Sequence, residues 1–246
     1  MKPRRKKYSF PAVIIFSAGV LLGLILSGWS LWGQVEASLT VFPNGDQGLS
    51  LHCPLMLSST ETGRVSADFN NPTTEEINPT IQAVIGKGIQ SRTVSNVLAL
   101  APGGTKPLQW QVGPADEVFG GLILVNVFET SQPNFSSHQG FCGSPVVSFP
   151  GLTGQQIFIL MFAASLAGMV AGAILWVLGN YPWRGLIENA TNASASLAVL
   201  VLLDLLLIFP AWWGLSLVTF LFSIMLIVII ITQFMLLPSA VDRGER

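Results

Sequence analysis

The sequence predicts an α-helical membrane protein: four transmembrane helices, with an all-β, sandwich-like extracellular domain inserted between helices 1 and 2. Three observations predict it. Charged side chains are scarce, 12 Lys and Arg and 13 Asp and Glu in 246 residues, or 10%, against roughly 25% in an ordinary soluble domain. Apolar residues make up half of the chain and collect in four runs instead of spreading through it. Between the first and second runs, residues 32–156 alternate apolar with polar and are broken at short intervals by Gly, Pro and Asn. A mean hydropathy of +0.59 excludes a disordered chain. A net charge of −1 excludes a nucleic-acid binder driven by bulk charge.

The runs are Phe10–Leu31, Ile157–Leu178, Ala193–Trp213 and Leu215–Leu237. About 20 helical residues cross a bilayer core of roughly 30 Å, so each is long enough. The last two nearly touch. As one helix they would exceed twice the membrane thickness, so Phe209-Pro210-Ala211-Trp212-Trp213-Gly214 must turn the chain back. The paired tryptophans suit the headgroup level. The start, Met-Lys-Pro-Arg-Arg-Lys-Lys, places basic residues before the first run, and basic residues stay on the cytoplasmic side. Residues 1–9 are therefore a cytoplasmic tail, 10–31 helix 1, 32–156 the outer domain, 157–178 helix 2 and 179–192 a cytoplasmic loop. Residues 193–213 and 215–237 are helices 3 and 4, and 238–246 form a second cytoplasmic tail. Residues 34–152 carry four basic and nine acidic side chains, net −5, which fits an exported face. The first run reads as an uncleaved signal anchor of a plasma-membrane protein. A secretory signal cleaved near Val35-Glu36-Ala37 is the alternative, but signal cores are typically about 7–15 residues.

In the outer domain, Leu49, Leu51, Cys53, Leu55 and Leu57 fall on every second position. So do Val65, Ala67 and Phe69; Ile81, Ala83 and Ile85; Leu108, Trp110 and Val112; and Ile123, Val125 and Val127. Period-2 runs between turn residues mean half-buried strands. About seven or eight strands, with no amphipathic helix between them, predict an antiparallel sandwich. Phe69-Asn70-Asn71-Pro72-Thr73, Leu98-Ala99-Leu100-Ala101-Pro102-Gly103 and Leu108-Gln109-Trp110-Gln111-Val112 carry a strand–turn rhythm. It resembles that of bacterial immunoglobulin-like and fibronectin-like domains, over this domain only. The resemblance implies a contact or spacer module, although fold alone does not imply function.

Cys53 and Cys142 are the only cysteines, and both are in the exported region, where a disulfide is the simplest outcome. His52 and His138 lie near them, so a zinc site of two sulfurs and two nitrogens, or unpaired thiols, are the alternatives. The acidic pairs Glu75-Glu76 and Asp116-Glu117 read as solvated turns. Asn134-Phe135-Ser136 is the exported sequon.

Inside the membrane runs, Asp204 is the one charged residue, at the middle of the third run. Depth matching gives it Ser165, Thr219 and Ser223 as neutral partners. The carboxyl is then either interhelical glue or a proton or cation site. Gly19 and Gly23 in the first run, and Ala164, Gly168 and Gly172 in the second, form small-residue faces that let helices approach closely, within the chain or with a partner.

There is no P-loop, no nucleotide-binding glycine pattern, no HExxH and no GxSxG. No residue pattern points to catalysis, a cofactor or a metal. The expectation is an interaction module or accessory subunit, with the lipid bilayer and a protein as partners and no nucleic acid. The layout also resembles the topology of MacB/FtsX-type ABC transporter permeases, which implies a transport or mechanotransmission role.

Overall fold

The computed structural model describes residues 9–39, 46–87, 91–118, 121–130, 137–180, 186–208 and 212–241. The basic start, the sequon, residues 209–211 of the expected turn, residues 181–185 and residues 242–246 lie outside the described residues. The chain forms two compact units, Trp29–Ile159 and a helical unit of Met1–Gly28 with Leu160–Arg246.

The described residues form four helices: α1 (Ser9–Ser38), α2 (Gly154–Asn180), α3 (Leu186–Ile208) and α4 (Trp213–Val241). Three contain stretches long and apolar enough to cross a membrane: Phe10–Ser38, Gly154–Gly179 and Trp213–Thr232. Among the described residues the apolar part of α3, Asn192–Ile208, is shorter. The third run was expected to continue to Trp213; the described part of α3 ends at Ile208, and residues 209–211 lie outside the described residues.

In the helical unit polarity is inverted relative to a soluble bundle. Ser165, Asp204, Ser216, Thr219 and Ser223 are buried, while Ile14, Leu21, Ile25, Leu160, Ile174, Leu221, Phe222 and Met225 are exposed. Water would not favour that arrangement, and hydrocarbon does.

The described residues of the other unit form ten strands: β1 (Asp46–Gln47), β2 (Leu51–His52), β3 (Leu57–Ser58), β4 (Gly63–Asn70), β5 (Thr80–Ile85), β6 (Arg92–Val97), β7 (Thr105–Val112), β8 (Glu117–Val118), β9 (Leu122–Glu129) and β10 (His138–Val147). One sheet runs β1-β10-β9-β5-β6, with β3 on β10 and β8 on β9; the other is β2-β4-β7. Both sheets feed one buried cluster. Val65, Ala67, Phe69, Trp110 and Val112 come from the smaller sheet, and Ile81, Ala83, Ile85, Ile123, Val125, Val127 and Cys142 from the larger. Phe69 and Trp110 meet edge to face at 6.5 Å.

Two expectations change. The sheets are not wholly antiparallel, because β1 and β3 pair with β10 in parallel. The alternation from Leu49 to Leu57 is also not one strand. Proline lacks the N–H a ladder needs, and around Pro54 the chain leaves the smaller sheet after β2 and joins the larger at β3. Asn71, fully buried, fastens the turn after β4: its Nδ2 donates to the carbonyls of Glu75, Leu100 and Ala101.

Cys53, which follows β2, is bonded to Cys142 of β10, with Cα atoms 6.5 Å apart. The disulfide staples the two sheets together and leaves no thiolate for zinc. A crosslink over an 89-residue separation stabilises by roughly 4 to 5 kcal/mol on the chain-entropy model. Replacing both cysteines by serine should therefore lower the stability of this unit by about that amount, measured by thermal melting. Mass spectrometry of the unreduced protein should find the native chain two hydrogens lighter than the dithiol.

Candidate functional site

The first candidate is the seat of α1. Residues 29–38 of this helix belong to the β unit. Ala37, fully buried, packs with Val118, Leu122 and Leu124 on one face of the larger sheet. A Cβ on Gly33 would lie 2.8 Å from the Gly143 carbonyl oxygen, so the helix and β10 meet backbone to backbone. Gln34 Nε2 donates to that carbonyl at 3.3 Å. Glu36 pairs with Lys87 at 2.5 Å. Because α1 covers this face, β9 is buried on both sides, not on one as its alternation suggests.

The start of α2 is fixed to the same unit. Thr153 Oγ1 accepts from Gln156 N–H, and Gln156 Oε1 accepts from Thr153 N–H, a reciprocal capping box. Glu61 Oε2 accepts from Gly154 N–H at 2.7 Å and from Ser58 N–H at 3.2 Å. A carboxylate at a helix N-terminus also meets its positive end.

Two carboxyls in this unit depart from solvated behaviour. Asp116, expected in a solvated turn, is buried. Burial pushes its pKa up, but the Arg92 hydrogen bond, the Gly113 N–H and the Arg92 charge together hold it below the usual range. Arg92 Nε donates to Asp116 Oδ1 at 2.7 Å and Arg92 Nη2 to the Gln111 carbonyl at 2.5 Å, joining β6 to the end of β7. The Asp116 hydrogen bond in turn raises the pKa of Arg92. Glu75 and Glu76 are exposed, as expected.

Glu129 ends β9 on the core side. It is 3% exposed and its Oε1 has no hydrogen-bond partner among the described residues. Across the ladders it faces His138 of β10 and Ile81 of β5. Burial raises its pKa from 4.5 to about 7.

The second candidate is the polar core of the helical unit. Asp204, fully buried, accepts at Oδ1 from Ser216 Oγ at 2.5 Å and from Thr219 Oγ1 at 3.2 Å. Of its expected partners only Thr219 reaches it. Ser223 donates to the Thr219 carbonyl, and Ser165 donates to the Gly19 carbonyl at 2.8 Å. Ser216, in the first turn of α4, lies nearer the start of that helix than the expected partners Thr219 and Ser223. Ser216 and Ser27 are the residues that depth matching missed; Ser27 of α1 is fully buried beside the carboxyl.

The small-residue faces meet within the chain. A Cβ on Gly19 would lie 2.6 Å from Met169 N, one on Gly168 would lie 3.0 Å from Gly19 Cα, and one on Gly172 would lie 2.6 Å from Phe16. Gly23 faces Ser165 Oγ and Val201. Ala164 does not take part: it is exposed, and Ser165 is buried in its place. A four-residue step drifts by about 40° around a helix of 3.6 residues per turn, which carries Ala164 off the contact face.

No protein-family model matches the chain, and no curated protein is similar to it. Among solved structures, the CARDB domain of a Pyrococcus furiosus protein, in complex with di-metal ions, is similar at 14% identity and a TM-score of 0.33. That match covers 45% of this chain and 100% of the domain. A Paenibacillus cycloisomaltooligosaccharide glucanotransferase is similar at 16% identity and a TM-score of 0.34; the match covers 43% of this chain and only 14% of that enzyme. A superoxide reductase (neelaredoxin) from Ignicoccus hospitalis is similar at 9% identity and a TM-score of 0.31, over 41% and 81%. At these values no argument about function follows. Among the described residues no group of three or more His, Cys, Asp or Glu is placed to hold a metal ion.

Two outcomes follow from the geometry. The folded state holds the Glu129 proton more tightly than the unfolded state does. Its contribution is complete below pH 4.5 and is lost as pH rises through about 7, a span of roughly 3 kcal/mol at full titration. Chemical denaturation at pH 5 and pH 8 should show the native protein losing stability toward alkaline pH, and Glu129→Gln should remove most of that slope. Gly168→Leu should drive α1 and α2 apart, lowering the stability of the detergent-solubilised protein by about 3 kcal/mol or more, since overpacking against backbone cannot relax by rotamer change.

Proposed function

We propose that this chain is an integral membrane protein that presents an immunoglobulin-like β-sandwich on the outer face of the plasma membrane, as an interaction module or accessory subunit of a membrane complex. The observation that carries the reading is the seat of α1. The helix that enters lipid continues, unbroken, into the packing of the β unit. Two sheets closing on one stapled core support the sandwich reading. The four-span count rests on α3. Its described apolar part, Asn192–Ile208, runs about 25 Å at 1.5 Å per residue, most of a bilayer core. The hydroxyls of α4 around Asp204 support α3 and α4 as a membrane hairpin. The basic start supports a cytoplasmic side for both chain ends and an outer one for the β unit. Burial of Ala37 inside that unit favours an uncleaved signal anchor, since cleavage near residue 37 would strip a packed helix turn from it.

That α1 is one helix with residues in both units supports a second reading, mechanotransmission. The two readings separate on what co-purifies. Affinity purification of the tagged full chain from its own membranes in mild detergent, followed by protein identification, should recover a membrane or envelope protein at near-equal amount, with no substrate turnover by the chain. Recovery of an ATPase would shift the assignment to mechanotransmission. A chain that purifies alone and turns over a substrate would contradict both.

A further inference from the structure

Among the described residues the two sheets end on four strands, β1 and β6 in the larger and β2 and β7 in the smaller. A sheet edge is a row of unpaired backbone donors and acceptors, which proteins blunt with short strands, proline or charge. Three of the four edges are blunted. β1 and β2 have two residues each. β7 contains Pro107, which lacks an N–H, and its Gln111 carbonyl is taken by Arg92 Nη2.

β6 is the exception. Its residues, Arg92-Thr93-Val94-Ser95-Asn96-Val97, include no proline or glycine. Just past it, Leu98 N–H donates to the Pro79 carbonyl, and Leu100 exchanges both backbone bonds with Ile77. Antiparallel hydrogen-bonded pairs fall on alternate residues, so Asn96, Val94 and Arg92 are the residues that bond β5. The N–H and C=O groups of Thr93, Ser95 and Val97 then point out of the sheet. All three residues are exposed, Val97 at 70%. On the core side, Val94 and Leu98, with Leu108 of β7, are only partly buried against the core cluster. The edge therefore combines an open ladder with an apolar seam between the sheets. An extended backbone satisfies the ladder, and apolar side chains at every second position cover the seam.

Charge selects the occupant. Residues 91–112 contain Arg92 and Lys106 and no acid. A second copy laid antiparallel about Ser95 would set Arg92 of each chain opposite Leu98 of the other, toward Lys106, whose Nζ donates to the Ala99 carbonyl. Like charges would then meet at both ends. A strand with acidic ends meets opposite charge instead.

We propose that the open edge of β6 binds an extended segment of a partner protein, apolar at alternate positions and acidic at its ends, as an added strand of the larger sheet. The edge is then the contact surface of the interaction module proposed above, and its assignment rests on that reading.

The test uses the full-length protein in detergent and a fluorescent, end-capped peptide, Asp-Thr-Val-Thr-Val-Thr-Val-Asp. The peptide should bind saturably, one per chain. N-methylation of one alternate set of its nitrogens should weaken binding about tenfold or more, and of the other set should leave it unchanged. Ser95→Pro removes an outward N–H and no bond to β5. It should weaken binding about tenfold or more while leaving the melting temperature nearly unchanged. The methylated peptides, which leave the protein unaltered, carry the test if this variant does not fold. Absence of saturable binding, equal effects of the two methylated peptides, or undiminished binding by Ser95→Pro would overturn the proposal. So would a dimer that Ser95→Pro dissociates, which would make a second copy the occupant. A protein that co-purifies equally with the native and Ser95→Pro chains would overturn the β6 assignment and leave the interaction reading standing. Recovery of no partner with the native chain would overturn both.

Discussion

The docking of the last turns of α1 onto β10 and β9 is the constraint around which the β unit is arranged. It requires the absence of side chains at two positions at once, because Gly33 and Gly143 approach through their backbones. It requires a small apolar residue at 37, one helical turn farther on, where Val118, Leu122 and Leu124 close over it. Gly143 is next to Cys142, and successive strand residues face opposite sides. One face of β10 therefore receives the helix while the other holds the disulfide. β10 also accepts β1 and β3 in parallel. Four attachments converge on one strand, which explains its run of small residues, Gly140, Gly143 and Ser144.

The helical unit obeys the opposite solvent logic. Its exposed faces are aliphatic and aromatic, and its interior is where glycines and hydroxyls are kept. Without a hydrophobic force between helices in lipid, close backbone approach and internal hydrogen bonds must hold them. Gly19 against Gly168, Phe16 against Gly172, and Ser165 on the Gly19 carbonyl supply the first contact. Asp204 with Ser216 and Thr219 supplies the polar part of the α3–α4 contact.

Much of this was legible in the residues, and the failures have physical causes. Period-2 alternation marks β4, β5, β7 and β9, because their core faces are apolar and regular. The cysteine pair was legible from its number and setting. β10 was not, because both of its faces are covered and it has no polar alternation to read. The break at Pro54 was printed in the sequence, but the alternation on either side of it masked the change of sheet. The capping box Thr153-Gly154-Gln155-Gln156 was also legible and marks the start of α2 several residues before the apolar run. In the membrane, the identity of Asp204 as a buried polar centre was readable. Its partners were legible only in part: depth gave Thr219, while Ser216 and Ser27 depend on how the helices are rotated against one another, which apolarity does not reveal. The seat of α1 could not be read at all. Gly33 and Ala37 look like the tail of a span, and only the fold brings Gly143 to meet them.

The central claim is that α1 is a permanent part of the folded β unit and not a removable leader. Intact mass and N-terminal sequence of the protein purified from its native membrane test it most directly. The account predicts a chain that retains residues 9–38 in full. A mature chain beginning at or after residue 37 would contradict it, since the helix turns that cover β9 and meet Gly143 would then be missing from the working molecule.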